Sequence, residues 1–224
     1  MIENCDIFRI VKKGVFMKEI ILNHPMIKHK IAILRNEKTS TKEFRELISE
    51  IAMQLCYEAL KDAKTEIIDI KTPITETKGE KVDENNYAFV PILRAGMGMV
   101  DGVLRLMPNA KIGHIGLYRN EETLEPVRYY CKLPENIEKK EVILLDPMLA
   151  TGGSGSAAIT MLKKDGVKKI KFLCIIAAPD GIKRIKEDHP DVQIYCAQLD
   201  EKLNDVGYIV PGLGDAGDRI YGTK

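Results

Sequence analysis

The sequence predicts an α/β protein: a mainly parallel sheet flanked by helices, with a small N-terminal helix and hairpin attached. Two observations carry this. Apolar runs of four to seven residues recur at 88–93, 112–117, 142–145, 172–178 and 192–196. Strands that are apolar at every position belong in a parallel sheet covered on both faces. Helical stretches near 97–107, 154–165 and 180–188 fall between these runs, which is the alternation that parallel crossovers require.

Taken in order, residues 1–16 show no strong periodicity, and Met17 is a second candidate start. The expectation is an N-terminal extension over 1–16 and a single domain over 17–224: at ~150 residues per domain the 224 residues allow one or two, and no internal repeat or linker divides them. Ser40, Thr41, Lys42 and Glu43 form a capping box that opens a helix. Behind it Phe44, Leu47, Ile48, Ile51, Ala52, Leu55 and Ala59 recur as one helical apolar stripe. Ile67, Ile68 and Ile70, with Gly79 as the turn, suggest a short hairpin. The alternating runs and helices then fill the rest of the chain.

Composition narrows the function. Lys plus Arg is 34 and Asp plus Glu is 33, for a net charge of +1, which argues against a strongly basic nucleic-acid binder and against an acidic tail. Aromatic residues are 6% with no Trp, too few for platforms that stack single-stranded bases. Cys5, Cys56, Cys131, Cys174 and Cys196 are odd in number and never paired as C-x-x-C, so reduced, idle thiols are expected rather than a disulfide frame or zinc ribbon. No apolar run approaches the ~20 residues that cross a bilayer, and no signal-peptide core follows Lys12 and Lys13. The expectation is a cytoplasmic protein with neither nucleic acid nor membrane as partner.

Four segments carry chemistry. The strand 142–145 ends at Asp146 and passes through Pro147, Met148, Leu149, Ala150, Thr151, Gly152 and Gly153 into a helix beginning near Ser154. A Gly-rich turn at a helix N-terminus offers free amides and a positive dipole end to a phosphate. Asp146 would repel that phosphate, so sugar hydroxyls or a metal are its natural partners. Acid for ribose and amides for phosphate describe a cradle for a ribose 5-phosphate. No G-K-[ST] follows the glycines, which excludes a Walker A loop. Second, Arg94 follows another strand, with Gly96 allowing close backbone approach; a guanidinium there can grip phosphate through two N–H groups. Third, Tyr118 to Pro126 is a charged segment that, unassisted, reads as a solvated arm. Fourth, Gly207 to Arg219 contains G-x-G-x-x-G at Gly212, Gly214 and Gly217, yet too little chain follows for a dinucleotide fold. It reads as a loop of little bulk whose main chain can touch a flat ligand.

Together these segments resemble the type I phosphoribosyltransferases, in the form of the uracil phosphoribosyltransferase family. Asp146 to Ser154 is similar to the family's 5-phosphoribosyl diphosphate (PRPP) loop, with Asp146-Pro147 where most type I relatives carry two adjacent acids. Arg94 matches the arginine of L-R-A-G-x-G, and Arg119 that of Y-R-x-E-E-T-L-E-P. Residues 207–218 match G-Y-I-x-P-G-L-G-D-A-G-D, and His24-Pro25 with His29-Lys30 match H-P-x-x-x-H-K, read as packing or subunit contact. The matches run from about His24 to Lys224.

The resemblance implies the type I fold with a protruding β-arm, and transfer of a 5-phosphoribosyl group from PRPP to uracil. It implies that PRPP meets Arg94, Arg119, Asp146 through Ser154, and Asp215, and that uracil meets Ile209, Gly214, Asp215 and Ala216. Arg94, Asp146 and Asp215 become the catalytic candidates. Mg²⁺ is implied, held largely by the diphosphate rather than by a protein metal site. A homodimer or larger assembly is implied, and GTP is a candidate effector. Two rivals stand beside this reading. One is a sensor of ribose diphosphates that binds RNA through Lys163, Lys164, Lys168, Lys169 and Lys171, a cluster that otherwise reads as a solvated face. The other is an enzyme of a purine base, against which the C-terminal loop speaks.

Overall fold

A strand apolar on both faces needs cover on both, and the five apolar runs do become the centre of one sheet. The computed structural model describes residues 19–119 and 126–223. The 1–16 extension and the arm residues 120–125 lie outside the described residues. In chain order the elements are β1 (Ile20–Ile21), α1 (Pro25–Arg35), α2 (Thr41–Ala59), β2 (Thr65–Lys71), β3 (Glu76–Val82), β4 (Tyr87–Leu93) and α3 (Val100–Leu106). Next come β5 (Lys111–Ile112), β6 (His114–Arg119), β7 (Pro126–Lys132), β8 (Glu141–Leu145), β9 (Met148–Leu149), α4 (Gly153–Lys164) and β10 (Lys169–Ala177). The chain finishes with α5 (Pro179–Asp188), β11 (Gln193–Leu199), β12 (Lys202–Leu203), β13 (Ile209–Val210) and α6 (Ala216–Tyr221).

The main sheet runs β1-β11-β10-β8-β4-β6-β7, with β5 beside β4 and β9 beside β10. Every pairing in it is parallel except β6 with β7. Side chains alternate between two cores. Phe89, Ile143 and Leu145 face the core beneath α1, α2, α3 and α6, while Val90, Val142 and Leu144 face the one beneath α4 and α5. This two-sided burial is why the runs lack polar alternation. Ser40 caps α2 by accepting from the Glu43 N–H at 3.2 Å, and all seven residues of the predicted stripe are buried.

Several expectations need correction. The hairpin β2–β3 turns at Thr72–Thr75, where Thr72 Oγ1 accepts from the N–H groups of Ile74 and Thr75 at 3.2 and 3.0 Å. Gly79 lies inside β3 opposite Ile68, and the space of its missing Cβ is filled by Ile70. The run 112–117 is interrupted at Gly113, which separates β5 from β6. His24-Pro25 opens helix α1: the His24 Nδ1 accepts from the Met26 N–H at 3.1 Å and Pro25 takes the first position, where its missing N–H costs nothing. The 207–219 segment is not loop throughout, since it ends in α6. The lysine cluster is not one solvated face. Lys171 is buried, donating to Ala59 O at 2.6 Å and pairing with Glu141 at 2.8 Å and with Asp62. Lys163 pairs with Asp191 at 2.6 Å, while Lys164, Lys168 and Lys169 stay exposed, so three of the five lysines keep the solvated face.

Helices α2 and α3 meet at Gly102, where an added Cβ would stand 1.9 Å from Ser49 O and 3.1 Å from the Met53 N. Backbone cannot yield as a flexible side chain does. Gly102→Ala is expected to cost about 2 kcal/mol or more, read as a lowered midpoint in urea unfolding; a midpoint like the parent's would contradict this packing. Among the described residues no helix is long and apolar enough to cross a membrane.

Candidate active site

In an open parallel sheet, ligands collect beyond the carboxyl ends of the strands. Here β8 delivers Asp146, β4 delivers Arg94 and β6 delivers Arg119 to that same edge. The backbone of Arg119 closes β6, and its side chain is outside the described residues. Asp146 is half-buried as a residue, and among the described residues its carboxylate accepts one hydrogen bond, from the Met148 N–H at 3.4 Å. Burial pushes its carboxyl up to about 7, against a smaller lowering by that N–H. The neutral form is thus favoured in the fold, and the native protein holds more protons than the unfolded chain between about pH 4 and pH 7. Stability from this group is full at the acid end and lost as pH rises through about 7. Asp146→Asn is expected to remove that slope and to gain on the parent at about pH 8 relative to about pH 5 in urea unfolding. Parallel pH profiles for the two proteins would show that Asp146 is not the group responsible.

The turn after Asp146 is pinned to its neighbour strand. Pro147 O accepts from the Ile175 and Ile176 N–H groups at 3.0 Å, and Leu149 O accepts from Ala178 N–H at 2.9 Å. Pro147 and Leu149 are buried and shape the loop, whereas Met148, Ala150, Thr151 and Gly153 are partly open and Ser154 is exposed. Gly152 holds φ +78°, a conformation that favours glycine, and starts α4 without any side-chain cap or acidic residue in the first turn. The Ser156 N–H returns to Gly152 O at 2.9 Å. By helix geometry the amides of Gly153, Ser154 and Gly155 have no intrahelical acceptor. Three donors at the positive end of a dipole suit an anion. Arg184, a residue that sequence reasoning passed over, brings Nη1 to 3.6 Å from where a Gly153 Cβ would stand. Nothing but its place on α5 signals this.

Arg94 opens a 3₁₀ turn over Ala95–Met99. A Cβ on Gly96 would meet Leu145 O at 2.4 Å, so this turn presses against the end of β8 beside Asp146. The Arg94 guanidinium is 58% exposed, with Asp218 at 3.4 Å and the Tyr221 ring centroid at 5.8 Å. Tyr221 donates its hydroxyl to Arg94 O at 3.0 Å, and burial pushes its phenol up while Arg94 opposes that shift. The arginine is therefore oriented but free to take an anion.

The C-terminal segment completes the site. A cleft of about 250 Å³ is lined by Met148 and Ala150 of the first loop together with Ile209, Gly214, Asp215 and Ala216 of the last, and by Val206, Gly207 and Tyr208. Asp215 caps α6 by accepting from the Asp218 N–H at 2.8 Å, leaving its second oxygen unengaged by that cap. Ile220 packs α6 beneath Gly98, 2.8 Å from where a Cβ would stand. A larger concavity lies on the β2–β3 ribbon, lined by Asp69, Ile70, Lys71, Glu76, Thr77 and Lys78, and holds none of the site residues. Among the described residues no three His, Cys, Asp or Glu side chains gather as a metal centre. Cys56, Cys174 and Cys196 are buried and free; burial pushes the Cys56 thiol up to about 12, which leaves it inert. Cys5 lies outside the described residues.

The family model described as uracil phosphoribosyltransferase matches residues 21–223. The chain is 59% identical over 207 residues to a uracil phosphoribosyltransferase of Clostridium botulinum (strain Eklund 17B / Type B), covering 92% of this chain and 99% of that protein. It is 58% identical over 204 residues to one from Streptococcus salivarius, covering 91% of this chain and 98% of that one. Among solved structures, the AQ2163 protein from Aquifex aeolicus superposes with a TM-score of 0.87 at 46% identity, covering 91% of this chain and 98% of that chain.

Proposed function

The chain belongs to the uracil phosphoribosyltransferase family and transfers the 5-phosphoribosyl group of PRPP to uracil, giving UMP and diphosphate; from that premise we propose how its residues divide the work. The single observation that carries the division is the cleft shared by Met148 and Ala150 with Ile209, Gly214, Asp215 and Ala216. It sets the loop suited to a ribose phosphate against the loop suited to a flat base.

The 5′-phosphate sits on the free amides of the Thr151–Ser154 turn. Asp146, with one long N–H contact of its own, accepts from the ribose hydroxyls. The main chain of Ile209, Gly214 and Ala216 reads the pyrimidine edge. As the anomeric C–O bond breaks, positive charge develops on the ribose and negative charge on the leaving diphosphate, which Arg94 and Arg119 stabilise. Uracil loses its N1 proton as N1 bonds to the anomeric carbon, and Asp215 is the carboxylate lining the cleft that can take it. Mg²⁺ held largely by the diphosphate would, when bound, neutralise charge there. The oxygen chemistry of Asp146 and Asp215 fits such an ion, which keeps most of its waters and needs few protein carboxylates.

Assembly into a homodimer or larger follows the same reading. Ile67 and Ile74 on the hairpin are 73% and 94% exposed, and Tyr118, Tyr129 and Tyr130 stand exposed on β6 and β7 beside the arm, surface that a partner copy would cover. Incubating the protein with PRPP, Mg²⁺ and uracil, cytosine or a purine base, then following the nucleotide formed, tests the substrate reading. UMP from uracil alone is expected, and adding GTP to the same assay tests it as an effector. Removing residues 1–16 is expected to leave that rate unchanged; a lost rate would place the extension in the functional fold.

A further inference from the structure

The base-reading loop is tied to a helix at the other end of the chain. Arg35 sits in the last turn of α1 and sends its guanidinium to Asp200, at the end of β11, with Nη1 to Oδ2 at 2.9 Å and Nη2 to Oδ1 in the same fork. The same Nη1 donates to Gly212 O at 3.1 Å, and Gly212 N–H donates to Asp200 Oδ2 at 2.8 Å. Both main-chain groups of Gly212 are therefore held by one ion pair. Asp200 is 2% exposed at its side chain and Arg35 20%. Such a pair, bidentate and joined to Gly212, is rigid, because parting it would strand a buried charge.

Gly212 is the pivot between the parts of the loop that line the cleft. It has φ +59°, and a Cβ there would stand 2.1 Å from Ile209 O, so the chain doubles back directly onto a cleft residue. Two residues further on, Gly214 begins the other wall. A second arginine steadies that side: Arg219 donates to Leu213 O at 2.9 Å and to Asn36 O at 2.6 Å, the residue after Arg35. Neither Arg35 nor Asp200 lines the cleft.

We infer that Arg35 and Asp200 are positioning residues for the base: acting through Gly212, their fork sets the main-chain donors and acceptors at Ile209 and Gly214 that discriminate uracil. This rests on the reading of the 209–216 loop as the base site. Fixed polar groups discriminate only while held within a fraction of an ångström, and small misplacements cost up to about 10²-fold.

The test is kinetic, on the full chain. Arg35→Lys keeps the charge but cannot reproduce the fork, and Asp200→Asn keeps volume and an acceptor for Gly212, so the proposal is still read if either one fails to fold. The expected result is a KM for uracil raised about tenfold, a KM for PRPP within about twofold, and a uracil-over-cytosine preference reduced about tenfold. Equal rises in both KM values, or a lowered melting temperature with base preference intact, would overturn the inference by making the pair merely structural. Ala216→Val, which narrows the cleft directly, separates the two readings. If it leaves the KM for uracil unchanged, the base does not lie on this loop. If it raises that KM while Arg35→Lys and Asp200→Asn do not, the loop reads the base without the fork.

Discussion

Cytosine is expected to react on the order of 10³–10⁴-fold less efficiently than uracil, measured as kcat/KM in competition. The main chain of a packed, Gly-rich loop has donor and acceptor roles that cannot be exchanged, whereas an amide side chain could flip. Uracil presents an acceptor at O4 and a donor at N3, and cytosine presents the reverse. Against Ile209, Gly214 and Ala216, cytosine would set like groups against each other at two positions. Each mismatch in a dry site costs about 1–3 kcal/mol. Fluorine at C5 leaves the edge untouched, so 5-fluorouracil is expected within about tenfold of uracil. Use of cytosine within about tenfold of uracil would show that the loop does not read the base by its backbone.

Arg94→Ala is expected to lower kcat/KM by at least about tenfold, and up to about 10²-fold, while the protein stays folded. Charge-assisted hydrogen bonds of the kind an arginine makes to diphosphate contribute about 1.5–3 kcal/mol, and about 1.4 kcal/mol is a factor of ten in rate. Retention of the fold follows from what the side chain touches: it is more than half exposed, its ion pair with Asp218 spans 3.4 Å, and Tyr221 donates to its carbonyl rather than to its guanidinium. Exposed pairs of this kind add little to stability. Parent kinetics in a folded Arg94→Ala protein would remove the residue from the site.

What sequence alone made legible is what is local. The phosphate turn is contiguous, a buried strand, an acid, glycines and a helix, so residues 142–156 could be read without knowing any distant neighbour. Arg94 was readable for the same reason. The two-sided apolar strands announced the parallel sheet because burial on both faces leaves its mark on every position. Helix α1 escaped because only Ile27, Ile31 and Leu34 of its residues are buried and its cap is a histidine, an unusual choice. Helix α6 escaped because it is only six residues long and includes Gly217 and Asp218, both poor helix formers, and its hold comes from Ile220 under Gly98 and from Arg219 on the Asn36 carbonyl that follows α1. The burial of Lys171 was hidden by its lysine neighbours; its partners Asp62 and Glu141 come from elsewhere in the chain. Arg35 and Asp200 carried no signal, since nothing in either neighbourhood names the other.

The fork that holds the base loop also dates its formation. Its bonds join residues 165 and 177 positions apart, and the Arg219 bond to Asn36 spans 183. Closing such loops is entropically slow, and contacts of long separation are late rewards for a folding chain. The phosphate turn draws on β8, β9, β10, the start of α4 and the first turn of α5, all within 141–181. On the proposed roles of the two loops, a refolding molecule is expected to acquire its grip on the sugar phosphate before its sense of the base. Recovery of pyrimidine selectivity is therefore the clock that marks the end of folding.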